Sequence, residues 1–310
     1  MTRPIRLGTR GSSLALKQVE IAAAALRNGE KGVALETVEI RTEGDRDQTT
    51  PLTAVAGRGV FTSEIEQALL GNDVDVAVHS LKDLPTDETD GLLIGAVLER
   101  GDARDAVIAH DGMFLHELGA GSVVGTSSSR RIAQLRAAYT SLRVENIRGN
   151  VDTRIKKLRR GEYDAIVLAV AGLERLGRLD EASEILQADQ MMPAPGQGAI
   201  ALQCRADDLA TLNRLRAVEH AQSRAAVVAE RTVLAMLDGG CSVPVGAYAT
   251  VSGPLLDIAA LVCSPDGEQQ IRESLSGQAA DPETVGRQLA GQLLERGARE
   301  LLGRHAQVKR

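Results

Sequence analysis

Tryptophan is absent from this chain, and aromatic residues make up only 2% of it. Single-strand nucleic-acid binders need aromatic platforms on a basic face. A formal net charge of −6 supplies no such face, so no nucleic-acid partner is expected. Cysteine is scarce as well. Cys204, Cys241 and Cys263 are too few and too scattered for a disulfide framework or a zinc cage. The five histidines, His79, His110, His116, His220 and His305, show no i, i+4 pairing and no Cys-x-x-Cys company, which argues against a metal site. No run approaches the roughly 18 apolar residues of a membrane span. Met1-Thr2-Arg3-Pro4-Ile5-Arg6 is followed by no apolar signal core, so a cytoplasmic location away from membranes is expected. Phosphate-loop, dinucleotide-binding and Gly-x-Ser-x-Gly patterns are also missing.

What is present is an alternation of strand-like and helix-like segments across the first 200 residues, the pattern of α/β layers with mostly parallel strands. Strands are expected at 5–9, 33–40, 73–78, 92–98, 123–126, 142–147 and 163–169, with helices at 12–27, 62–70, 130–138 and 151–160. Two breaks interrupt the alternation: the charged segment Glu99–Asp105 and the Pro/Gly-rich segment Met191–Gly198. A chain that crosses out at about 100 and returns at about 195 makes two lobes with a double hinge and a cleft. The expected division is lobe 1 over 1–99 and 196–216, lobe 2 over 100–195, and a small α+β domain over 217–310. That last domain should hold a helix over 222–237, antiparallel strands over 246–251, 256–263 and 269–275, and one closing helix over 281–302. Arg41–Arg58 is too long for a routine strand-to-helix connection, and reads equally as a mobile lid or a surface excursion.

Chemistry-bearing residues gather where strands end. Val74–Val78 runs into His79, Ser80, Lys82 and Asp83 before Pro85 breaks the backbone. Two further junctions, Gly8-Thr9-Arg10-Gly11-Ser12 and Gly125-Thr126-Ser127-Ser128-Ser129-Arg130-Arg131, pass from strand through serines into helix. Free N–H groups at a helix start, with hydroxyls and a guanidinium beside them, bind anions; ordinary serine capping is the competing account. Arginine pairs carboxylates bidentately, so Arg130, Arg131, Arg148 and Arg154 fit a ligand bearing several carboxylates. Lys156, Lys157, Arg159 and Arg160 read instead as a solvated basic face. Cys204 and Cys263 end apolar runs and should pack as small hydrophobes. Cys241, in the turn Gly239-Gly240-Cys241-Ser242-Val243-Pro244, stands apart from them.

Taken in order, these segments resemble porphobilinogen deaminase, also called hydroxymethylbilane synthase. The resemblance adds Arg148-Gly149-Asn150-Val151-Asp152-Thr153-Arg154, Leu168-Ala169-Val170-Ala171-Gly172-Leu173 and Pro195-Gly196-Gln197-Gly198, and covers essentially the whole chain. It implies a monomeric cytoplasmic transferase of tetrapyrrole biosynthesis, with two lobes like periplasmic solute-binding proteins. Four porphobilinogen molecules would be condensed head to tail with loss of ammonia, and water would release hydroxymethylbilane. The chain would grow on one covalent dipyrromethane cofactor, thioether-linked at the position matched by Cys241. Asp83 would be the catalytic carboxylate, stabilising positive charge on the pyrrole nitrogen once ammonia has left. Arg10, Ser12, His79, Ser80, Lys82, Thr126, Ser127, Ser128, Arg130, Arg131, Arg148, Gly149, Asn150, Arg154, Ala169 and Gln197 would bind cofactor or substrate. Ser13, Ala54, Arg58 and Ser129 depart from the usual residues at their positions. A non-catalytic two-lobed anion-binding protein is the rival expectation, since the lobes alone would look the same.

Overall fold

The computed structural model describes residues 3–42, 62–237 and 243–307. Cys241 and most of the expected lid over 41–58 lie outside the described residues. In the first lobe, β1 (Ile5–Thr9) leads into α1 (Ser13–Gly29), an Ala- and Leu-rich helix whose buried stripe includes Val19, Ala22 and Leu26. Then follow β2 (Leu35–Glu39), α2 (Ser63–Leu70), β3 (Val76–Ser80) and β4 (Leu92–Val97). The second lobe contains β5 (Asp105–Ala109), β6 (Val123–Gly125), α3 (Ser129–Ala138), β7 (Arg143–Glu145), α4 (Val151–Arg159), β8 (Ala165–Ala169), α5 (Val170–Arg175) and β9 (Glu184–Leu186). The chain then returns as β10 (Ile200–Arg205) and α6 (Leu209–Arg216).

The two five-stranded sheets share one plan. Their orders are β2-β1-β3-β10-β4 and β7-β6-β8-β5-β9. In each, three parallel strands are followed by a fourth that runs against them and arrives directly from the other lobe. β10 and β5 are therefore the antiparallel members of sheets that the alternation alone makes mostly parallel. Each lobe buries its own apolar cluster, one around Leu7, Val78 and Leu202, the other around Ile108, Ile166 and Leu168. A fully buried side chain of that size contributes about 1.5–3 kcal/mol.

The two crossing segments run side by side. Leu98 N donates to Ile200 O at 3.1 Å, and Gly101 N to Gly198 O at 3.2 Å. Gly198 has φ +87°, and a Cβ there would lie 2.6 Å from Gly101 O, so only glycine permits this approach. One sequence expectation is corrected at this point. Asp105 belongs to no charged break; it opens β5 and is fully buried.

The C-terminal domain is α7 (Ala221–Met236), an antiparallel sheet ordered β11 (Val245–Ser252), β12 (Leu255–Cys263), β13 (Gln270–Gln278), and two helices, α8 (Pro282–Glu295) and α9 (Ala298–Gln307). The single closing helix expected over 281–302 is broken in two at Gly297, whose φ of +91° ends α8. Cys204 and Cys263 are buried, and burial pushes their thiols up to about 11 and about 12. Both pack as small hydrophobes. No helix among the described residues is long and apolar enough to cross a membrane.

Candidate active site

Many of the sequence-selected residues lie at the carboxyl ends of the parallel strands in both lobes, where open α/β sheets bind ligands. Arg10 and Ser12 follow β1, while Ser80, Lys82 and Asp83 follow β3. Thr126 to Ser128 follow β6, Arg148 to Asn150 follow β7, and Ala169 ends β8. A cavity in lobe 1 is lined by Arg10, Ser12, Gln18, His79, Ser80 and Asp83 among others. Asp83 also bears electrostatically on Arg154 of the opposite lobe and on its neighbour Lys82, opposing the burial that lowers both. A carboxylate of one lobe thus lies within electrostatic reach of a guanidinium of the other.

Three buried glutamines hold three of these polar groups. Gln203 Oε1 lies 3.1 Å from His79 Nε2, Gln18 Nε2 donates to Ser80 Oγ at 2.7 Å, and Lys82 Nζ donates to Gln197 Oε1 at 3.2 Å. An amide both donates and accepts, so it can orient a side chain without adding charge to the site. Gln197 was expected among the ligand-binding residues. It is 1% exposed, and its amide nitrogen donates to Ala103 O and Asp105 Oδ1. It therefore ties Lys82 to both crossing segments. Gln18 and Gln203 carry no sequence signal beyond being polar residues within otherwise apolar segments.

Asp105 is the centre of the second lobe's electrostatics. Its Oδ1 accepts from Arg131 Nη2 at 2.7 Å, and its Oδ2 lies 2.8 Å from Arg130 Nη1. Burial by itself would raise the Asp105 carboxyl, but the two guanidiniums hold it well below the usual carboxylate range. Arg130 and Arg131, expected to meet ligand carboxylates, thus already share a carboxylate of the chain's own. They also donate to Met192 O and Val167 O. The Nε atoms of both are buried without a hydrogen-bond partner.

Burial lowers Lys82 to about 8 against the opposing pull of Asp83, and lowers Arg154 to about 10, with Arg131 and Arg148 adding repulsion. Arg154 Nε donates to Gly149 O at 2.8 Å. Ser12 and Ser128 accept from Ala15 N and Arg131 N, so both hydroxyls cap their helices, and Asn150 caps α4 through Thr153 N. Thr126 and Ser127 are buried, and Ser127 Oγ donates to Ile147 O at 2.6 Å. Of the expected basic face, Lys156, Arg159 and Arg160 are exposed. Ser13 Oγ donates to Asp152 Oδ2 at 2.8 Å, a direct bond between the lobes.

The donor set suits a polycarboxylate. Arg10 lines the lobe 1 cavity, Arg148 and Arg131 act electrostatically on Arg154, and Arg130 and Arg131 add positive charge beside Lys82. Such a set fits the four carboxylates of a dipyrromethane. The helix α7 ends at Met236, five positions before Cys241.

Comparison with known proteins agrees with this chemistry. A family model described as porphobilinogen deaminase, dipyromethane cofactor binding domain, matches residues 5–213, and the C-terminal domain model of the same family matches 224–295. The porphobilinogen deaminase of Desulforudis audaxviator is 47% identical over 304 residues, covering 98% of each chain. That of Trichlorobacter lovleyi is 45% identical over 298 residues, covering 96% of this chain and 95% of its own. Among solved structures, a putative methionine-binding lipoprotein from Bacillus subtilis aligns with 70% of this chain and 90% of its own at 15% identity and a TM-score of 0.45. The two-lobe architecture rests on the sheet topology described above. With two-thirds of its length inside one family model and relatives matched from end to end, this chain belongs to the porphobilinogen deaminase family.

Proposed function

We propose that Asp83 is the catalytic carboxylate of this transferase and that the cationic groups around it hold the growing oligopyrrole. The family's reaction joins porphobilinogen units with loss of ammonia and yields hydroxymethylbilane. The observation that carries the residue assignment is Asp83 on the wall of the lobe 1 cavity, within electrostatic reach of Arg154. When ammonia leaves an aminomethylpyrrole, positive charge spreads onto the ring nitrogen. A fixed carboxylate at that N–H stabilises the charge, and one such preorganised group is commonly worth about 2.7–4 kcal/mol.

Cys241 would hold the dipyrromethane, which when bound would supply the nucleophilic pyrrole carbon that primes elongation. Arg10, Arg148 and Arg154 bind its carboxylates and those of the added units, with Ser12, Ser80, Thr126, Ser127, Ser128, Gly149, Asn150 and Ala169 around them. Arg130 and Arg131 remain paired to Asp105 and add positive charge beside Lys82. Lys82 and Gln197 bridge the cavity to the hinge, so a ligand that draws on Lys82 acts on the crossing segments. The functional division is 1–99 with 196–216, then 100–195, then 217–310, in one polypeptide working as a cytoplasmic monomer.

Replacing Asp83 with Asn should leave the dipyrromethane in place, seen as the mass of two pyrrole units above that of the chain. Turnover should fall about 100- to 1,000-fold. Undiminished ammonia release by this variant would remove Asp83 from the chemistry. An unmodified Cys241 in protein exposed to porphobilinogen would remove the thioether.

A further inference from the structure

Behind the cavity, a line of buried polar groups runs through lobe 1 that the reaction as described leaves unused. Thr89 Oγ1 donates to Glu66 Oε2 at 3.0 Å, and Gln203 Nε2 donates to Glu66 Oε1 at 2.9 Å. Gln203 Oε1 in turn lies 3.1 Å from His79 Nε2. Glu66, Gln203 and His79 are 9%, 4% and 4% exposed, so little solvent reaches these bonds. They come from α2, β10 and β3, and only the folded lobe aligns them.

The direction of this line follows from what each group can do. A carboxylate only accepts, so Gln203 must turn its NH2 toward Glu66 and its carbonyl oxygen toward His79. An oxygen there requires a proton on His79 Nε2. The other ring nitrogen, Nδ1, is then a bare lone pair. It has no hydrogen-bond partner among the described residues, since the ring's one bond is that of Nε2 to Gln203. His79 lines the cavity with Asp83 and Arg10, and Nδ1 is the ring nitrogen left there for a ligand.

We propose that His79 is an acceptor for a ligand N–H, held as its Nε2–H tautomer by Gln203 and Glu66, which act as positioning residues. This rests on the lobe 1 cavity being the condensation site. A lone pair repels carboxylate oxygen and attracts N–H, so His79 distinguishes the nitrogen groups of porphobilinogen from its acid side chains. Arg10 in the same cavity has the opposite preference. Burial lowers His79 to about 4, against the raising effect of the Gln203 bond, and so keeps it neutral beside these charges.

Histidine labelled with 15N in the holoprotein reads the tautomer directly, with His79→Gln identifying its signals. Nε2 should carry the proton and Nδ1 should resonate as an unprotonated nitrogen from pH 8 down to pH 5.5. A proton on Nδ1, or an imidazolium at pH 5.5, would overturn the assignment. Glu66→Gln removes the acceptor that orients Gln203, so the amide can reverse. The spectrum should then show mixed tautomers, with turnover reduced about three- to tenfold, the value of one hydrogen bond. Wild-type turnover in a variant with mixed tautomers would overturn the ligand role. A porphobilinogen analogue lacking the aminomethyl group locates the donor: weaker inhibition of Glu66→Gln assigns the ring N–H, whereas unchanged inhibition with a raised substrate KM assigns the ammonium. Loss of turnover in Asp83→Asn tests the site itself, so failure of the tautomer and failure of the site are read separately.

Discussion

Asp105 accepts from Arg131 across 2.7 Å in a site where neither side chain meets solvent appreciably. Gln197 donates to the same carboxylate oxygen, and Arg130 lies against the other, so one acidic group joins β5, α3 and the returning crossing segment. Replacing one member leaves uncompensated charge in the interior. Asp105→Ala should therefore cost about 3–5 kcal/mol. Urea unfolding measures it, and a loss below 1 kcal/mol would mean the two guanidiniums find other partners.

The C-terminal domain is fastened to the hinge in a similar way. Glu230 on α7 takes Arg100 at 2.6 and 3.1 Å, and also accepts from Gly196 N and Ala249 N at 2.7 Å each. One carboxylate thus binds both crossing segments and β11. Glu230→Gln keeps the volume but reverses some of these polarities, and should destabilise the protein by about 1–3 kcal/mol. Unchanged protection of the Gly196 and Ala249 amides in hydrogen exchange would contradict that role.

His79 should make the protein sensitive to acid. Its folded value of about 4 lies below the ordinary 6.5, so between these limits the unfolded chain binds a proton that the folded chain refuses. Stability contributed in this way is complete above pH 6.5 and falls as pH drops toward 4, by about 3 kcal/mol in all. The groups facing His79 are Gln203, Glu66, Arg10 and Asp83. Comparing unfolding at pH 7 and pH 4.5, His79→Gln should lose less stability than the parent chain; an equal loss would contradict the linkage.

Gly149 and Gly161 make a matched pair. Both have positive φ, +110° and +74°, but a Cβ at Gly149 would lie 2.5 Å from Thr153 Cγ2, whereas Gly161 has open space. Gly161→Ala should cost about 1 kcal/mol in backbone strain alone, and Gly149→Ala a further 1–3 kcal/mol from overlap. Only the latter displaces the turn between Arg148 and Asn150, so only it should impair loading of the cofactor. Equal effects in the two variants would show that the turn tolerates the shift.

Much of the molecule was legible in the order of its residues. The strand at Ile5–Thr9, the helix start at Ser12, and the three strands after Pro244 follow from periodicity and capping chemistry. Asp105 was not legible, because an acid amid Glu99, Arg100, Asp102 and Arg104 has the pattern of a solvated turn. Its burial follows from pairing with Arg130 and Arg131, some 25 positions away. β10 shows as an apolar run, but nothing local says that it inserts antiparallel between β3 and β4. The break at Gly297 escaped because the apolar spacing continues beyond it.

Residue order alone was enough for the lobed α/β plan, the strand-end chemistry of His79 to Asp83 and the family resemblance, since these depend on spacing between near neighbours. Folding decided which charges are spent internally and which face the cleft, and which glutamines aim His79, Ser80 and Lys82. Those outcomes depend on distances between residues 60 to 130 positions apart, and burial then multiplies the worth of every charge and hydrogen bond brought together.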